Sequence, residues 1–121
     1  MLTKKTLLVV TILGLMTTPA TAQSSMDHST HAESPMAAYI AAMDTMMESM
    51  EGITSSGSTD ADFLLMMIPH HQSAIDMAKV ELEQGKDPEA QEMAKNIIAA
   101  QEQEIATMKA MLKRLGVEVP H

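Results

Sequence analysis

The chain has 121 residues, no cysteine, and a net charge of −8 from 8 basic and 16 acidic side chains. An acidic protein lacks the basic footprint that nucleic-acid binding needs, so no nucleic-acid partner is expected. Without cysteine there are no disulfides and no thiolate metal sites, and helix packing, with a metal or a partner subunit, must hold a small domain together. The composition has one outlier: 14 methionines stand beside one tyrosine, one phenylalanine and no tryptophan. Methionine fills cores adaptably but specifies them poorly. On sequence alone it is read here as occupying places that leucine and aromatic rings usually take, with its sulfur in use.

Residues 1–22 read as an export signal. Lys4 and Lys5 form a positive start, Leu7 to Met16 an apolar run of about ten residues, and Ala20-Thr21-Ala22 a small-residue cleavage site. The apolar run is too short to span a bilayer. Cleavage after Ala22 removes two lysines and leaves a mature chain near −10, with no stable membrane span expected and a periplasmic or secreted location. Residues 23–34 follow as a flexible tail rich in Ser, Thr and His, carrying Met26, His28 and His31. Their spacing would let a mobile segment wrap an ion, and the two histidines could also take copper(II).

Residues 35–116 read as a helical domain. Ser34 as cap and Pro35 in the first turn open a helix running to about Glu51. Met36, Ile40, Met43, Met47 and Met50 fall at steps of four and three and predict one apolar stripe. Gly52 to Thr59 is a loop. A second helix begins near Thr59 or Asp60 and ends before Gly85, with Asp60 and Asp62 at its positive end. Pro69 lies inside it and predicts a kink or a break near Leu65 to Pro69. The third helix starts with Asp87 and Pro88 and stops at Gly116, with an inner stripe of Ala94, Ile98, Gln101, Ile105, Met108, Leu112 and Leu115. Residues 117–121 are expected to be loose. The fold class is all-α: a small antiparallel bundle of three main helices, closed alone or paired as a homodimer.

The chemistry centres on Met66-Met67-Ile68-Pro69-His70-His71, with Asp76 and Met77 beyond. Residues three or four apart share a helix face, so Met66 and Met67 fall beside His70, and Met67 beside His71. Helix one offers Met43, Met46, Met47 and Met50 across the bundle. Thioether sulfur is a soft neutral donor that favours copper(I), and imidazole also suits copper. Silver(I) should behave alike. Other metals fit less well. Structural zinc wants four Cys or His ligands. The Glu-x-x-His pairs of di-iron bundles are absent, because Met67 and Ile68 stand three before the two histidines. No catalytic triad, phosphate loop or dinucleotide fingerprint appears, so no enzyme is expected. The plain alternatives are that a methionine stripe is core, that one histidine is a satisfied core residue and the other exposed, and that Met93 and Met111 are core or surface. Asp76 faces water or orients a histidine ring.

The run Asp62 to Ala78, above all Met67-Ile68-Pro69-His70-His71-Gln72, resembles the hallmark segment of the domain of unknown function 305 family, which includes CopM-like periplasmic copper-binding proteins. Gln101, Glu104, Ile105, Met108 and Leu112, and the first helix with Tyr39, Met43, Met47 and Met50, are similar too. The resemblance covers roughly Met36 to Gly116. It implies a ferritin-like, four-helix type of bundle, export, and copper(I) or silver(I) binding at Met66, Met67, His70, His71 and Met77, with Met43 and Met47. It implies a packing or supporting role for Gln101 and Glu104. Ser73 departs from a usual glycine, and Met111 from a frequent tryptophan. The expected function is a metallochaperone or sequestering protein for metal tolerance, serving a copper exporter or another periplasmic copper protein, with metal entering between helices one and two. The alternative is a periplasmic stress or folding chaperone with methionine as an adaptable client surface.

Overall fold

A computed structural model describes residues 34–119; the proposed signal and the tail positions Met26, His28 and His31 lie outside them. Among the described residues the protein is all-helical, with three helices and no strand: α1 (Met36–Glu51), α2 (Thr59–Gln84) and α3 (Pro88–Arg114). Both long helices start at side-chain caps. Ser58 accepts from the Ala61 amide at 3.4 Å, and Asp87 from the Ala90 amide at 2.8 Å. Asp62 closes the α1–α2 loop, taking bonds from Ser55 Oγ, Ser56 N and Ser56 Oγ at 2.6, 2.7 and 2.6 Å. These donors hold its carboxyl below the ordinary aspartate range, the Ser55 hydroxyl contributing most. α1 starts differently from the expectation. Pro35 itself stands at the cap, and the Ser34 carbonyl accepts from Ala37 N at 3.0 Å.

α2 runs unbroken through Pro69, so the expected helix break does not occur. Proline lacks the N–H that would bond the Leu65 carbonyl, but the helix on both sides is anchored by packing. Ala61, Leu64, Leu65 and Ile75 of α2 join Ile105, Met108 and Leu112 of α3 in the core, and Leu112 is fully buried. α3 ends at Gly116, whose φ of 73° suits glycine, with Val117 N returning to Leu112 O at 3.0 Å. The segment beyond, expected to be loose, lays Val117 and Val119 on the core.

α2 is the middle helix. α1 packs on α2 alone, α3 packs on α2 alone, and α1 and α3 do not pack on each other. The Tyr39 hydroxyl donates to Glu81 Oε2 at 3.3 Å near one end of α1, while Ser49 and Ile53 share a groove with Pro69 and Leu65 at the other, so α1 is antiparallel to α2. Ser73, a buried polar residue, lies about 200° around α2 from the core residue Ile75. It therefore faces the α1 side, where a small side chain permits close approach. The result is a single layer of three antiparallel helices with two broad faces.

Candidate metal site

The predicted α1 stripe is not the buried one. Ala42 is the buried residue of α1; Tyr39, Ile40, Met46 and Met50 are half-buried, so Ile40 and Met50 of the predicted stripe are partly covered. Met36, Met43 and Met47 are 52%, 49% and 50% exposed. α1 is thus rotated relative to the expectation, and its methionine row lines the flank rather than the interface. The wider reading of methionine as core filler also needs correction. Leucine, isoleucine and alanine build most of the core, with Met108 the buried methionine among the described residues. Seven of the nine exposed large hydrophobic side chains are methionines: Met36, Met43, Met47, Met66, Met77, Met93 and Met111.

These seven share one face of the layer. On α2, Met66, His70 and Met77 fall within about 40° of one another; on α1, Met36, Met43 and Met47 do the same; on α3, Met93 and Met111 are about five full turns apart and coincide. One groove ties the three helices together on this side, lined by Tyr39 of α1, Met77 and Glu81 of α2, and Met93 of α3. Glu48, Gln72 and Lys109 line the groove on the opposite side. The same angular bookkeeping puts Lys79, Lys95, Lys109 and Lys113 on that opposite face. The methionine face therefore pairs thioethers with the carboxylates of Glu81 and Glu104, without the helix lysines. By the antiparallel register, Met50 stands level with His70 and Met43 level with Met77.

The two histidines part company. His70 is exposed and follows Met66 and Met77 along the α1 side. His71 turns toward α3. Its Nδ1 lies 2.9 Å from the Met67 carbonyl, and its Nε2 lies 2.6 Å from Glu104 Oε2. A carbonyl only accepts, so Nδ1 carries a proton and donates it. Nε2 is then the atom left to share a proton with the carboxylate, or to ligate a metal when that proton leaves. The His71 side chain is 14% exposed and that of Glu104 58%, so the ring is held while its partner is free to swing into solvent. Met67, His71, Glu104, Met108 and Met111 line one groove of about 520 Å³ between α2 and α3. Asp76 does not orient either ring; it accepts from Gln72 Nε2 at 3.0 Å. The histidine-orienting carboxylate is Glu104, and the additional sulfurs are Met93 and Met111. Their separation of five turns was a usable signal in the sequence.

Among the described residues, no three of His, Asp and Glu gather closely enough to hold a metal ion. No described helix is long and apolar enough to cross a membrane.

An uncharacterized protein of Acanthamoeba polyphaga mimivirus is 42% identical over 53 residues, covering 44% of this chain. The match spans only 35% of that relative. A family model described as Domain of unknown function (DUF305) matches residues 10–112, well over half of the chain, and takes in α1, α2 and α3 up to Leu112. The matched segment contains the histidine pair, and the chain belongs to the domain of unknown function 305 family.

Proposed function

We propose that this protein is an exported carrier or store for copper(I), with silver(I) as an equivalent cargo, binding the ion through methionine thioethers and histidine imidazoles. The observation that carries this reading is the inversion of methionine's usual place. The side chains most suited to a soft metal lie on the surface, on one face, beside both histidines and away from the lysines. An apolar residue placed outside at such density serves contact with something other than the core. Carboxylates on the same face attract a cation without supplying the charge a divalent ion needs.

The finer parts of the reading go with it: kinship in function to the CopM-like members of the family, a ferritin-like arrangement with a bend in α2 at Pro69, and removal of residues 1–22 on export. The cargo then passes to a copper exporter or another periplasmic copper protein, and the chain itself catalyses nothing. Met26, His28 and His31 act as a capture arm that can also take copper(II).

The exposed apolar face also suits the second reading, a folding chaperone that binds clients through methionine. One variant set separates the two. Replacing Met43, Met47, Met66, Met77 and Met111 with leucine keeps the apolar surface and removes the sulfur. Copper(I) affinity, measured by competition with a chromogenic chelator, is expected to fall by at least tenfold, as it should in His70→Ala/His71→Ala. If the leucine protein binds copper(I) as before, the metal reading is wrong; if it suppresses client aggregation without metal, the chaperone reading takes its place.

A further inference from the structure

Resting on the soft-metal reading, we propose that the adjacent histidines serve two separate ions: His70 with Met66, one turn before it, on the α1 side of α2, and His71 with Met67 and Met111 in the groove between α2 and α3.

Neighbouring residues on a helix point about 100° apart, and packing on both sides of α2 fixes that divergence. His70 stands on the flank shared with the α1 methionines, level with Met50. His71 is committed to the other flank by two hydrogen bonds, one to the backbone of its own helix and one to α3. The Nδ1–H bond to the Met67 carbonyl fixes the tautomer in which Nε2 is the ligating atom, as is usual for a histidine ligand oriented by a carbonyl. That atom sits at the wall of the groove where Met67, Met108 and Met111 also lie. Met111 is 39% exposed and reaches the groove from solvent, while Met67 and Met108 approach from the packed side. An arriving ion takes the Nε2 lone pair, the shared proton goes to solvent, and the Glu104 carboxylate swings outward. Glu104 is then a displaceable cover on this second site. Neither histidine has to leave its position for both sites to fill.

The test is a silver(I) titration of the mature protein carrying carbon-13 methionine methyl groups, followed by NMR and by native mass spectrometry. Two groups of methyl resonances should move: Met67 and Met111 with His71, and Met66 with His70. His71→Ala with Met111→Leu should remove the Met67 response and one bound ion, while Met66 still responds. His70→Ala with Met66→Leu should do the reverse. The two-ion assignment is overturned if the two variants abolish the same responses, or if the first leaves Met67 and the ion count unchanged. If no methionine methyl of the unaltered protein responds to silver(I), the carrier reading itself fails. Circular dichroism of each variant separates loss of an ion from loss of fold.

Discussion

At the scale of single residues, His71 shows how one side chain serves structure and chemistry together. Its two ring nitrogens tie α2 to α3, so it fits the plain reading of a satisfied histidine. The Nδ1 bond also sets the tautomer a metal ligand needs, while the Nε2 bond has to open before an ion can bind. His71→Ala should cost about 1–2 kcal/mol of stability in the absence of metal, from lost bonds of ordinary strength, read as a shift in urea unfolding. Glu104→Ala should act in the opposite sense on binding. It removes the group that competes for Nε2, so silver(I) affinity in that groove should rise by roughly fivefold, the equivalent of about 1 kcal/mol for a largely exposed contact. A fall in affinity would make Glu104 a ligand or a positioning residue instead of a cover. Asp62 gives the pH dependence. Its carboxyl is held below the ordinary range in the folded state by Ser55 and Ser56. It therefore stabilises the fold above the unfolded value of about 4, and that contribution disappears as pH falls through the lower folded value. In Asp62→Asn the acid limb of stability should be flatter than in the unaltered protein, as followed by helical circular dichroism.

At the scale of elements, α2 is the helix on which everything else depends. It is the only neighbour of both α1 and α3 among the described helices, and it carries both histidines. Pro69 within it costs a backbone bond. Pro69→Ala should raise stability by about 1–3 kcal/mol in thermal unfolding if the proline is tolerated rather than needed. A fall would mean that α1 and α2 fit each other only through the local geometry the proline imposes. α3 is held by Leu112, which is fully buried. Leu112→Ala should cost about 2–5 kcal/mol, a large share of the stability of so small a domain. α1 has the lightest attachment: one buried alanine and the Tyr39–Glu81 bond. Burial and that bond raise the Tyr39 ionisation above its ordinary range. Its contribution is present below the unfolded value of about 10 and disappears as pH rises through the higher folded value.

At the scale of the molecule, three helices in one layer leave two faces, and the chemistry is divided between them. One carries the exposed thioethers, the imidazoles and the carboxylates of Glu81 and Glu104; the other carries the helix lysines together with Glu48. Helix type and extent were legible from the chain itself. The cap at Asp87, the stop at Gly116 and the α3 stripe through Ala94, Ile105, Met108 and Leu112 follow from local rules that act within one helix; the Ser58 cap was not read from the chain, and Leu115, counted in that stripe, is exposed because it lies past the end of α3. The inventory of sulfur and imidazole was legible for the same reason, since it is a matter of composition. The facing of α1 was not. Its sequence holds two rows at helical spacing, Tyr39–Ala42–Met46 and Met36–Ile40–Met43–Met47–Met50, and periodicity ranks the bulkier row as core, though of it only Ile40 and Met50 are half-buried. Tertiary packing chose the other row, because small Ala42 lets the backbone of α1 approach α2 closely where long methionine side chains would hold it away. The separation of His70 from His71 was likewise beyond the sequence: it depends on which flank of α2 each neighbouring helix occupies, and that is set by the packing of all three.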